Sequence, residues 1–189
     1  LVTMRMHPMH GAFANQALIQ KKEMLKDAEA REDWRTVIML YERHARLLAF
    51  HERMHLLPPA KYWELLGDIW IGAEFPSEDL AVWLELFKAD CPNRASLMSV
   101  EEISALFHMP DHVTIYRGCN GTDASLHGMS WTLSRKTAGW FAERFSLEEP
   151  IVGEGRCCKE DILAYFTGRG EEEIVIDPRA VRNIREIKP

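Results

Sequence analysis

Apolar residues along this chain follow two different rhythms. Between about residues 13 and 107 they recur at three- and four-residue steps, the spacing that puts side chains on one face of an α-helix. Ala17, Leu18, Met24 and Leu25 give a weak first stripe; Trp34, Val37, Ile38, Tyr41, Ala45, Leu48 and Ala49 give a stronger one, read as a single helix. Pro58 and Pro59 close that pattern and open another, with Tyr62, Trp63, Leu66, Ile69 and Trp70 as its stripe, because proline is tolerated in a first helical turn. Ser77-Glu78-Asp79 offers an N-cap and an acidic first turn to a helix carrying Leu80, Trp83, Leu84 and Phe87. Ser99 and Glu102 form a capping box for one more short helix ending near Phe107.

After Pro110 the period falls to two. His112–Arg117 and Met129–Leu133 read as strands joined by a turn containing Gly and Asn, and Arg135–Phe145 reads as a helix with Ala138, Phe141, Ala142 and Phe145 on one side. Ile151–Cys158 reads as a strand, Lys159–Phe166 as a short helix, and Glu172–Ile176 and Val181–Ile187 as strands joined at Asp177-Pro178. The expected class is α+β: a helical region over 1–110, then a small strand-rich core over 111–189.

With 189 residues, 47% of them apolar, the chain can bury a core without metals or disulfides. A formal charge of −6 argues against a broad nucleic-acid grip, which needs clustered Lys and Arg. Cys91, Cys119, Cys157 and Cys158 lack metal-ligand spacing and read as free thiols of a reducing cytoplasm. No stretch approaches a membrane span, and the first residues lack the apolar run of a secretion signal.

Three short segments carry candidate chemistry: Tyr116-Arg117-Gly118, Ser130-Trp131-Thr132, and Glu171-Glu172-Glu173 entering Ile174-Val175-Ile176. Taken singly they have ordinary readings: an edge-strand arginine, common strand hydroxyls, a solvated acidic turn. An arginine ending a first strand, a Ser-x-Ser/Thr on a second and a Glu-x-Glu entering a later apolar strand, in this order, resemble the arginine–serine–glutamate class of mono-ADP-ribosyltransferases of bacterial or phage type. The likeness covers roughly residues 112 to 187, including the helix after the serine strand, although Trp131 stands where the family commonly has Thr. It implies a split β-sheet core of that family's type. It also implies NAD as co-substrate, no metal, and a target protein as partner, its acceptor an arginine because Glu171 stands where other members have Gln.

The resemblance places Glu173 on the ribose 2′-hydroxyl, with Ser130 orienting it, Arg117 on the diphosphate, and the Gly118 backbone against the nicotinamide amide. Thr132, Phe141 and Arg144 join the dinucleotide contacts; Arg144 is equally open to facing water. Elementary chemistry agrees. Breaking the nicotinamide–ribose bond passes through an oxocarbenium-like state that a nearby carboxylate stabilises. On an extended backbone Glu171 and Glu173 share one face, and paired carboxylates raise one another's pKa, which suits one of them to act as a base. Rival readings are an NAD glycohydrolase, with water as acceptor, and a non-catalytic binding module on the same fold. Tyr165 and Phe166 fall where the family keeps an aromatic in its target-recognition turn, and either suits a core equally.

A competing motif lies in the helical half. His51-Glu52-Arg53-Met54-His55 has the H-E-x-x-H spacing of zinc peptidases, with Glu64 or Glu74 as a third ligand. Arg53 inside it and Pro58-Pro59 just after it favour an ordinary polar helix end.

Overall fold

The computed structural model describes residues 8–73, 79–120, 126–144 and 150–188. The expected cap at Ser77-Glu78, the candidate ligand Glu74, the turn at 121–125 and the helix end at Phe145 lie outside the described residues. The class is α+β, seven α-helices and a six-stranded antiparallel sheet among the described residues. The chain divides into two compact units, Leu1–Leu57 and Pro58–Pro189. Three of the helices, those between Pro59 and His108, fall in the unit that holds the sheet.

The first unit contains α1 (Pro8–Ala30), α2 (Trp34–Met39) and α3 (Arg46–Arg53) around buried Ala28, Val37, Ile38, Leu47, Ala49 and Phe50. The single helix expected over the second stripe is in fact two. Its interruption is held by Arg46, whose Nε and Nη2 donate to the carbonyls of Tyr41 (3.1 Å) and Met39 (3.2 Å), so a side chain replaces the lost helical bonds. Asp33 caps α2 by accepting from Thr36 N. α3 stops at Arg53, and His55 falls in a separate 3-10 turn, Met54–Leu56. The continuous helix that the zinc spacing requires does not form there. Arg53 is a brace, donating to Glu29, Tyr41 and the Ala49 carbonyl. Among the described residues no group of three or more His, Cys, Asp and Glu is placed to hold a metal ion.

The second unit opens with α4 (Pro59–Gly72), whose Tyr62, Trp63, Leu65, Leu66, Ile69 and Trp70 are all buried. It packs on α5 (Leu80–Phe87) through edge-to-face contacts of Trp70 with Trp83 (4.9 Å between centroids) and Phe87 (5.2 Å), geometry that suits the ring quadrupoles. Tyr62 Oη donates to the Leu86 carbonyl, and Trp63 Nε1 to those of Cys91 and Pro92, so the polar tips of these large rings are satisfied inside. α6 (Val100–His108) starts at the expected capping box, with Ser99 and Glu102 each accepting from the other's backbone N–H.

The strands are β1 (His112–Asn120), β2 (Ser130–Thr132), β3 (Pro150–Cys158), β4 (Ile162–Phe166), β5 (Glu173–Ile176) and β6 (Arg182–Ile187), with α7 (Arg135–Glu143) between β2 and β3. Lys159–Phe166, expected as a helix, is a 3-10 turn followed by strand β4. Ile162 and Ala164–Phe166 are buried there, which accounts for the unbroken apolar run. Sheet order is β4-β5-β2-β1-β3-β6. The sheet is continuous but joined thinly in the middle. β1 and β2 pair at one position, Tyr116↔Thr132, whereas β1 and β3 pair over nine, His112↔Cys158 to Asn120↔Pro150. An antiparallel register continued past Tyr116 would set Gly118 opposite Ser130; that pairing does not form, so the two strands part beyond Tyr116.

Alternation sorts the side chains onto two faces. Val113, Ile115, Trp131, Cys157, Ile174, Ile176 and Val181 make the main core, with Leu106 of α6 and Met98 against it. On the opposite face α7 covers β1 and β3, where Ala138 and Ala142 meet Val152 and Tyr116. An added Cβ at Gly118 would lie 1.9 Å from the Ala138 carbonyl oxygen. Only glycine lets α7 approach this closely.

Candidate active site

The site is built at the seam between β1 and β2. Ser130 and Glu173 are carried on neighbouring strands, in the register Thr132↔Glu173 and Ser130↔Val175, on the face opposite Trp131 and Ile174. Ser130 Oγ donates to Glu173 Oε1 at 2.5 Å, and Trp70 Nε1 donates to the same oxygen at 3.2 Å. The carboxylate is therefore tied to the sheet on one side and to α4 on the other.

Arg117 crosses the seam where the backbones no longer pair. Its Nη1 donates to the Ser130 carbonyl at 2.5 Å. The guanidinium lies so close over Gly128 that a Cβ there would sit 2.4 Å from Nη2. Gly128 is fixed in turn, since its carbonyl accepts from Trp131 Nε1 at 2.9 Å. Burial pulls Arg117 below the ordinary arginine value while the Glu173 charge works the other way. A guanidinium stays protonated through such a shift, so the seam holds a fixed positive charge beside a carboxylate.

The acidic segment departs from the extended geometry expected of it. Glu171 has φ −87° and ψ −15°, Glu172 turns the chain at φ 46°, and the strand starts at Glu173. Glu171 and Glu173 are thus not successive same-face residues of one strand. Their relation is set by a bend, and β2 holds the bend: Thr132 Oγ1 donates to the Glu171 carbonyl at 2.6 Å and Leu133 N to that of Glu172 at 3.2 Å. Thr132, expected among the dinucleotide contacts, is buried with its hydroxyl under this turn, where it also accepts from Ser134 N.

The remaining expected residues lie around α7. Gly118 is needed there as the bed of the helix, with its missing side chain directed at α7. Phe141 is half-buried, its ring 5.0 Å from that of Trp140. Arg144 is exposed and sits over the Trp140 ring at 5.3 Å. Trp140 is 56% exposed. Tyr165 and Phe166 are core residues of β4. Burial, with the charges of Glu172 and Glu102 adding to it, raises the Tyr165 hydroxyl above its ordinary value.

Arg117, Ser130 and Glu173, expected from the sequence, thus share one hydrogen-bonded cluster. Trp70 and Gly128 were not expected in it. Trp70 reads as one more member of an apolar stripe, and nothing local to Gly128 marks it as the seat of a guanidinium. No helix among the described residues is long and apolar enough to cross a membrane. Compared with protein-family models, curated proteins and solved structures, the chain has no match.

Proposed function

We propose that this chain is an NAD-dependent mono-ADP-ribosyltransferase that modifies a protein side chain, with arginine as the acceptor. One observation carries the reading: the arginine, serine and glutamate that resemble that family in chain order meet in a single cluster where β1 and β2 part. Under this reading the sheet belongs to that family's fold, and the seam receives the dinucleotide.

The chemistry follows from the groups present. NAD carries a cationic nicotinamide on C1′ of its ribose. As the C1′–N bond breaks, its electron pair leaves with nicotinamide and positive charge builds on the ribose. Glu173 stabilises that charge and accepts from the 2′-hydroxyl. Arg117 supplies a permanent positive charge to the diphosphate and braces the Ser130 backbone. The acceptor guanidino nitrogen then bonds to C1′ and gives up one proton, and the reading assigns Glu171 as the base that receives it.

The test is incubation of the purified chain with adenylate-labelled NAD, measuring free nicotinamide and label on protein or on a small guanidino compound. Glu173→Gln is expected to lower nicotinamide release about a hundredfold or more, the scale of losing one electrostatic partner of a transition state. Glu171→Gln is expected to reduce transfer to the guanidino acceptor more than hydrolysis. Nicotinamide release without label on any acceptor identifies a glycohydrolase. Full turnover by Glu173→Gln overturns the site.

A further inference from the structure

Resting on that reading, we infer that Trp70 is a positioning residue of the same site, holding Glu173 through its indole N–H so that the carboxylate keeps one orientation during bond cleavage. Ser130 and Trp70 both donate to Oε1, one from β2 and one from α4. A glutamate side chain has three rotatable bonds, and one hydrogen bond leaves it free to pivot about the donor. A second donor from a separate element removes that freedom. The second donor is itself rigid. Trp70 is 3% exposed and its ring is wedged edge-on against Trp83 and Phe87. An indole nitrogen has one hydrogen and no acceptor capacity, so it favours the ionised carboxylate over the neutral acid.

Packing alone requires an aromatic ring at position 70 and is indifferent to its nitrogen. Positioning requires the N–H. Trp70→Phe separates the two. In the proposed enzyme this variant is expected to lower kcat for nicotinamide release about tenfold, the scale of one hydrogen bond to a charged group. KM for NAD should stay near the wild-type value. The acid limb of the pH profile should move to higher pH, since removing a donor to the ionised form makes Glu173 easier to protonate. A readout independent of turnover comes from protein labelled with ¹⁵N at its six tryptophans. The Trp70 indole resonance, assigned by its loss in Trp70→Phe, is expected to shift with pH as a carboxylate titrates, and that movement should vanish in Glu173→Gln. A Trp70 resonance indifferent to pH, or one that titrates unchanged in Glu173→Gln, overturns the inference. So does a Trp70→Phe enzyme with wild-type kcat and acid limb, which leaves the proposed activity standing. A wild-type chain that turns over no NAD removes both.

Discussion

Gly128 leaves room at the seam for the Arg117 guanidinium. A methyl group at position 128 would stand 2.4 Å from Nη2 and 2.5 Å from Cζ of Arg117. The obstructing atoms belong to the far end of a long side chain, so the guanidinium moves before the backbone does. Gly128→Ala is therefore expected to fold normally and to misplace the charge. A displacement of about an ångström at a positioning group costs up to about a hundredfold in rate, so the loss should appear in NAD turnover and hardly at all in the thermal midpoint. Arg117→Lys probes the same group differently. An ammonium keeps the charge but loses the planar fork that reaches the Ser130 carbonyl, and reduced turnover with an intact fold is expected there too. Parallel losses of stability and activity in both variants would show that the pair is only a structural tie.

At the scale of elements, the capping box of α6 does more than start a helix. Glu102 Oε2 accepts from Ser99 N, while Oε1 accepts from Thr167 N at 2.7 Å and Thr167 Oγ1 at 3.1 Å, fastening the helix to the end of β4. Burial alone would raise this carboxyl; the bonds from Thr167 and Ser99 outweigh it and hold Glu102 below the ordinary glutamate value. Asp177 is held low as well, chiefly by the Arg179 side chain and also by Lys88. A carboxylate depressed in the folded state contributes stability that is complete above its unfolded value, about 4. That contribution drains away as pH falls further, through the folded values. The urea midpoint should thus hold steady from neutral pH to about 5 and drop below that, with a shallower drop in Asp177→Asn. Glu102→Ala strands two backbone donors and should cost about 2–4 kcal/mol by urea unfolding. The box was legible because Ser99 and Glu102 are neighbours in sequence. The strand Ile162–Phe166 was not, because a short continuous apolar run fits a buried strand and a buried helix turn equally well. The interruption between α2 and α3 carries no proline or glycine to announce it and depends on where Arg46 reaches.

For the whole molecule, distance along the chain decided what could be read. Arg117, Ser130 and Glu173 stand out as polar residues inside or at the edge of apolar strands, and their order alone suggested one site. The Trp70–Glu173 bond joins residues 103 positions apart, and no local pattern reports it. The same bond ties α4 to β5. Every residue of the proposed site, from Trp70 to Glu173, lies in the unit Pro58–Pro189. That unit has its own apolar core, the basis on which a domain folds alone. A chain of residues 58–189 is therefore expected to unfold in one cooperative transition and to release nicotinamide from NAD as the full chain does, with the Glu173→Gln loss preserved. Circular dichroism and nicotinamide release on the same preparation check both halves of the expectation. A fragment that folds but turns over no NAD, while the full chain does, would move part of the catalytic machinery into residues 1–57.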